Sequence, residues 1–447
     1  MSIIADLHLH SKYSRAVSQK MDLKEIAFWA KKKGINLVST ADWTHPLWFR
    51  QIQENLVEKT PGIFKLKDGS FPEVSFILST ELSSIYSQNG KTHRIHNLVF
   101  TPSLTTAQKI IKTLQQQGVN LLADGRPTMG ISAKDLLEIL LSIDEKNFLI
   151  PCHIWTPWFS LYGSKSGFDS IEEAFGNYSK YITAVETGLS SDPIMNWQIE
   201  ELDNRAIVSF SDAHSGQKLG REATVFIPYD KEKELNLSEI NYDDIIGTFK
   251  QQEGKLKIGY TIEFFPEEGK YHWSGHRLCE IKYSPQEVLT NGEICPVCGK
   301  PLTIGVENRV LKLAKKIIKN EELIFVKNKY GLTFVYEKEK KRPPFVSLVP
   351  LMEVLEEIYG SPSQAEKEYQ RLTENFAPEF DILMRKTYEE IEAFAGKKLK
   401  EAIKIIRERK VFVDPGYDGV FGVVKIFNNN EKQTEKNQSE KQQLNLF

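Results

Sequence analysis

The chain has 447 residues, of which 40% are hydrophobic and 11% aromatic, and a net charge of −2. That length suggests two or three domains with a sizeable core, while the near-neutral charge gives no global electrostatic case for nucleic acid, so any basic surface has to be local. No run of 18 apolar residues occurs, and no basic stretch followed by an apolar one opens the chain, so neither a membrane span nor a signal peptide is expected. Two of the four cysteines lie in "CPVC", a pattern for metal rather than disulfides, and cytoplasmic residence follows as the expectation.

In chain order, the first two hundred residues alternate short apolar strands with amphipathic helices. "SIIADLHLH" reads as a strand, and "MDLKEIAFWAKKKGI" as a helix with Asp22 and Glu25 at capping-box spacing and Gly34 as its stop. The strands "NLVSTAD", "VSFILSTE" and "RIHNLVF" follow, then helices near "TTAQKIIKTLQQQG" and "SAKDLLEILLSI", then the strands "NFLIPCH", "YITAVE" and "RAIVSFSDAH". Strands separated by helices imply a largely parallel sheet covered on both faces, with enough units to close into a barrel. Parallel α/β sheets carry their chemistry at the carboxyl ends of the strands. Here those ends carry His8 and His10, Asp42, Glu81, His153, Glu186, and Asp212 with His214; His96 falls nearer a strand start.

Any one of these residues has a bland explanation, as a satisfied core histidine or a turn aspartate. Together they do not. Side chains repeat every two residues along a strand, so His8-x-His10 and Asp212-x-His214 each point two ligands to one face. Mixed His and carboxylate ligands suit zinc, manganese or iron, and bridging carboxylates let two or three ions sit together. Such clusters bind phosphoryl oxygens and activate water for in-line attack. Cys152, beside His153, reads as a buried core residue.

"DLHLHS", "TAD", Glu81, His96, His153 and "SDAHS" resemble the polymerase-and-histidinol-phosphatase (PHP) superfamily over residues 1–230. That resemblance implies a distorted (β/α)7-type PHP barrel that cleaves phosphoesters with up to three metal ions. It implies His8, His10, Glu81, His96, His153, Asp212 and His214 as metal ligands, with Glu81 bridging. The chain departs from the family's pattern twice. Ser14-Arg15-Ala16 puts Arg15 where an Asp is usual, and "TADWTH" offers Asp42 or His45 where "TDH" is usual, Asp42 being favoured. Two ions or three therefore remain open, and Arg15 is free to bind a phosphate.

Residues 231–305 read as a charged linker followed by a small zinc-binding module. The spacing His276-x2-Cys279-x15-Cys295-x2-Cys298 matches a structural site with four ligands and no open position; His272 competes with His276 for the fourth place. Residues 306–427 read as a mainly helical C-terminal region, with helices over "ENRVLKLAKKIIKNEE", "SLVPLMEVLEEIYG", "PSQAEKEYQRLTENFAPEFDILMRK" and "TYEEIEAFAGKKLKEAIKIIRERK", and strands around "VFVDPGYDGVFGVVKIF". Residues 428–447 are too polar to build a core and are expected to be a disordered tail. Its last five residues, with Gln443, Leu444, Leu446 and Phe447, look like the peptide by which bacterial repair proteins bind the replication sliding clamp.

A closer resemblance spans most of the chain to about residue 427. "STADWTHPLW", "RIHNLVF", "HIWTPWFS", "ETGLSSDP", "GKYHWSGH", "CPVCGKPLTIGV" and "PGYDGVFG" look like the endonuclease Q family. That likeness implies nicking of damaged double- or single-stranded DNA 5′ to uracil, hypoxanthine, xanthine or an abasic site. Asp212, Glu81 and Arg15 would be the catalytic groups, working with a zinc cluster or with Mg²⁺ or Mn²⁺, and the chain would associate with the nucleoid. A damaged base inside a duplex has to be flipped out. Trp155, Trp158, Ser190, Ser191 and Asn196, in loops after barrel strands, are the candidates for its pocket. A small-molecule phosphatase and a 3′–5′ exonuclease are the competing readings; the first needs neither a zinc module nor a clamp-type tail, and the position of the cut separates the second.

Overall fold

The computed structural model describes residues 2–427 apart from 231, 233 and 234; the expected tail and its clamp-type peptide lie outside them. The strand Ile3–Asp6, buried at all four positions, lies within a ten-stranded sheet. It runs parallel to Leu37–Ser39, which runs parallel to Ser75–Ile77, and antiparallel to Ala223–Pro228. The crossover from the first strand to the second is the helix Leu23–Lys33. Asp22 caps it by accepting from the backbone N–H of Lys24 and Glu25, and Gly34 ends it at φ 83°.

A separate four-stranded sheet holds the hairpin Ser79–Gln88 and Lys91–Phe100, with Phe148–Pro151 antiparallel to its second strand. Asn89 and Gly90, both at positive φ, close the hairpin as such turns require. Glu81 is therefore the third residue of a ten-residue strand rather than the end of "VSFILSTE", because the backbone leaves the large sheet at Leu78. The register opposes Glu81 to Leu98 and Ser83 to His96, so Glu81 and His96 are diagonal neighbours on one face. Ala184–Glu186 pairs in parallel with Ala206–Val208, and a bridge between Leu9 and Ala213 returns the chain to the first strand. The expected α/β architecture is present around a large central sheet. Among the described residues its strands form five separate sheets rather than one closed ring.

The C-terminal region holds helices, as expected, and also strands between residues 323 and 347, a stretch for which no element was expected. The helix expected over 307–322 stops at Leu313. Leu323–Lys327 and Thr333–Glu337 form a hairpin around Gly331, and with Phe345–Ser347 they extend the large sheet beside Leu256–Glu263. Their β-branched and aromatic residues outweigh the lysine-rich helical pattern before them. Five helices follow, from Leu351–Tyr359 to Lys397–Arg407, separated by Gly360, Pro378 and Gly396. No helix among the described residues is long and apolar enough to cross a membrane.

One ion pair locks these helices to the first crossover helix. Lys33 Nζ lies 2.7 Å from Glu379 Oε2, both side chains being at most 3% exposed. Glu379 also accepts from the Tyr369 hydroxyl at 2.8 Å and Leu351 N at 3.0 Å. Glu379→Ala strands the lysine in the core, so a destabilisation of about 3–5 kcal/mol is expected, read as a lower denaturation midpoint.

Candidate active site

Glu81 stands between two groups of ligands. Its Oε2 lies 3.1 Å from His10 Nε2 and 3.7 Å from His8 Nε2, while Asp212 Oδ1 lies 3.0 Å from His10 Nε2. Its Oε1 lies 2.6 Å from His96 Nδ1 and 3.1 Å from His153 Nε2. His8, His10, Glu81 and Asp212 thus form one set able to hold a cation, and Glu81, His96 and His153 a second, sharing one carboxylate. Despite these short distances, His8 Nε2, His10 Nε2 and Asp212 Oδ1 are buried without a hydrogen-bond partner. Atoms that converge on a common space and leave one another unsatisfied are what metal ligands look like without their ion.

The electrostatics agree. Burial alone would depress His8 and His10, yet Glu186, Glu81, Asp42 and Asp212 pull both well above the ordinary histidine range. That surplus of negative charge equally favours divalent cations. Burial pushes His96 down to about 4, despite Glu81, leaving it neutral as a ligand must be. Glu81 itself is held well below the carboxylate range, because His96, Arg126 and His10 outweigh its burial.

The supporting residues sit behind the ligands. Glu186 takes His8 Nδ1 at 2.9 Å and accepts from the backbone of His153 at 2.8 Å. Asp42 lies 3.2 Å from His10 Nδ1 and accepts from Ser11 N, Ser11 Oγ and Ser14 Oγ. Asp42, expected among the ligands, is therefore not brought into either set: its oxygens are spent on orienting His10. Asp6 holds the Asp212 loop by accepting from Ser211 N, Ser211 Oγ and Gly220 N. Asp42, His153 and Asp212 all have positive φ, a conformation that costs a non-glycine residue energy and clusters at functional sites. Cys152 is buried as expected, its thiol pushed well above its usual range by burial and by Glu186. Partners that fix a ligating imidazole typically matter 10–100-fold in metal affinity. Glu186→Gln is expected to weaken metal binding by roughly that factor, which titration of the chelated protein with Zn²⁺ or Mn²⁺ checks.

A second ligand group lies in the small module. His276 ends the strand Ser274–His276, Cys279 follows within a 3-10 turn, and Cys295 and Cys298 lie on a tight turn in which Gly299 N donates to Cys295 O. One ligand atom from each of the four falls within 4.8 Å of the others. Burial pushes the Cys295 thiol up, but the backbone N–H groups of Cys298 and Val297 bring it down to about 7. His272 is not part of this group; it is buried beside Glu307 at 3.6 Å.

No family model matches the chain. The Bacillus subtilis protein YqxK, itself uncharacterised, is 27% identical over 442 residues, 95% of this chain and 99% of its own length. Among solved structures, the lesion-specific endonuclease PfuEndoQ of Pyrococcus furiosus superposes with a TM-score of 0.77 at 28% identity, over 95% of both chains. Endonuclease Q in complex with a 27-mer duplex substrate, an abasic lesion at its active site, superposes with a TM-score of 0.77 at 29% identity, over 96% of this chain and 98% of its own. This chain is built as endonuclease Q is built.

The endonuclease Q likeness takes in the cluster, the Cys/His module and the helical region together. The remaining candidates fall unevenly around that frame. Arg15 is not in the cluster: its side chain is 81% exposed, 3.4 Å from Asp124. His214 lies at the mouth with its ring 4.7 Å from that of His10 and its Nδ1 on the Asp212 carbonyl at 2.8 Å. His45 stacks on Tyr13 instead. Of the base-pocket candidates, Trp155 donates to Asn196, Asn196 to Ser191, and Ser191 to the Thr187 carbonyl. All three side chains are buried, forming a closed polar network and no open wall. Ser190 is 8% exposed, and Trp158 is half-buried, edge-on to Tyr271 of the module. Sequence reasoning missed Arg126, which reaches Glu81 from a loop without any motif, and left Glu186 without a role although it ends a strand.

Proposed function

We propose that this protein is a metal-dependent DNA-repair endonuclease of the endonuclease Q type, nicking the phosphodiester 5′ to deaminated bases and abasic sites. The observation that carries this reading is a whole-length likeness to a lesion-specific endonuclease, coinciding with a buried carboxylate shared by two ligand sets. His8, His10, Glu81 and Asp212 would hold one ion, and Glu81, His96 and His153 another, with His214 at the rim. The ions, whether Zn²⁺, Mg²⁺ or Mn²⁺, supply Lewis acidity toward the phosphate and an activated water. The chain's own contribution is to fix the ligands through Glu186 and Asp42 and to hold Glu81 ionised. The strands around the cluster act as the wall of a distorted barrel. His276, Cys279, Cys295 and Cys298 bind a structural zinc. The lesion is flipped toward Trp158 and Ser190, while the module and helices grip flanking phosphates. Gln443, Leu444, Leu446 and Phe447 tether the enzyme to the sliding clamp at the nucleoid.

Duplexes carrying one uracil, one hypoxanthine, one abasic site or no lesion test the reading, alongside a small phosphomonoester. A single nick 5′ to each lesion and none in the intact duplex is the expected result. Turnover of the monoester alone, or a ladder from the 3′ end, would contradict it. Removal of residues 443–447 is expected to abolish capture by the clamp; equal capture would refute that tether.

A further inference from the structure

The Glu81 oxygen that faces His8 and His10 has another neighbour, which the metal reading leaves unused. Arg126 Nη1 lies 2.9 Å from Glu81 Oε2, and its side chain is 24% exposed where that of Glu81 is wholly buried. Arg126 therefore reaches from the carboxylate to the solvent side of the cluster. Asp212 and His214, with side chains 26% and 34% exposed, are the other groups at that mouth.

The loop that delivers Arg126 is firmly held. Asp124 Oδ1 accepts from Arg126 N at 3.1 Å and from Arg15 N at 3.3 Å, while Asp124 Oδ2 pairs with Arg15 Nε at 3.4 Å. Gly125 N donates to the Tyr13 carbonyl at 3.0 Å. A Cβ on Gly125 would lie 2.4 Å from Asp42 Oδ2 and 2.5 Å from Ser14 Oγ, so this backbone presses against the carboxylate that orients His10. Two loops are thus joined at Asp124, with one arginine directed inward and the other outward. An arginine suits this place, because its planar fork matches phosphate oxygens and its charge never titrates away.

We propose that Arg126 is a catalytic residue that grips a non-bridging oxygen of the scissile phosphate, with Asp124 and Gly125 holding its backbone. Resting on the phosphodiesterase reading above, this assigns to a side chain the positive charge that a further metal ion at the mouth would otherwise supply. The charge that grows on the phosphoryl oxygens in the transition state then meets a donor already in place. Arg15, further out, meets a neighbouring phosphate.

Arg126→Ala and Arg126→Lys, assayed on an abasic duplex beside the wild type, test the assignment. Arg126→Ala is expected to lower kcat by roughly 10²–10³-fold with little change in KM. Bound metal per chain, measured by mass spectrometry, should stay at the wild-type value, and added guanidinium should restore part of the rate. A phosphorothioate at one non-bridging position should slow the wild type and not the variant. A variant with wild-type kcat, or one that loses metal in step with activity, would overturn the assignment and leave Arg126 as a counter-ion of Glu81. If the wild type itself leaves the abasic duplex intact, the phosphodiesterase reading falls first, so the two failures are distinct.

Discussion

Glu81→Ala is expected to lower lesion-directed nicking by about 10³-fold or more, equivalent to about 4 kcal/mol of transition-state stabilisation. Its two oxygens face different ligand sets, His8, His10 and Asp212 on one side and His96 and His153 on the other. Removing it strips one ligand from both sets at once. It also frees the Arg126 guanidinium, which then stands unopposed beside the imidazoles and repels any arriving cation. Metal content should therefore fall together with the rate. Glu81→Gln keeps the volume but loses the charge and one acceptor oxygen, so it should be nearly as damaging. Single-turnover nicking and mass-spectrometric metal counting check both variants. A variant that keeps its metal and its rate would remove Glu81 from the centre of the account.

Cys298→Ala should act on the fold of the module before it acts on chemistry. Structural zinc in small modules contributes about 10–16 kcal/mol of binding free energy that is also folding free energy. Val288 and Leu302 are buried and residues 414–418 help to seat the module, but the ligand turns themselves carry little apolar cover. Leu278, Leu289, Ile294 and Val297 are exposed, and its ligands hang on short strands and turns. One zinc per chain should be lost, and protease should then cut between residues 276 and 300. Nicking should fall as well. The loop that leaves His153 carries Phe159 against His96 and Trp158 against Tyr271, so disorder in the module reaches the ligands through that loop. Unchanged zinc content or unchanged protease resistance would contradict this.

The parts of the site visible in the sequence were those set by strand periodicity. His8-x-His10, just past the strand Ile3–Asp6, and Glu186, at the end of Ala184–Glu186, need little more than a period of two and parallel strands to be brought together, whereas Glu81 comes from within the antiparallel hairpin. The Cys295-x-x-Cys298 turn is equally local. What was not visible depends on contacts between distant loops. Asp42 follows its strand as a ligand would, but three donors from Ser11 and Ser14 turn its oxygens toward the back of His10. Arg126 sits in a loop with no pattern, and only Asp124 and the fit of Gly125 direct it to Glu81. Trp155 and Asn196 looked like pocket residues because they follow strands, yet each satisfies the other in the interior. The hairpin of Leu323–Lys327 and Thr333–Glu337 was hidden by the lysine-rich stretch before it, which reads as helix until the large sheet offers an edge to extend.

The proposed nicking of lesion-bearing DNA depends on the two cations that His8, His10, Glu81 and Asp212, and Glu81, His96 and His153, would hold. Titrating metal into the chelated protein, with nicking of a duplex carrying one abasic site as the readout, tests it most directly. No nick is expected without metal, then a nick 5′ to the lesion that appears only as the second equivalent beyond the structural zinc is bound. Nicking at an undiminished rate by protein whose cluster holds no metal would contradict it.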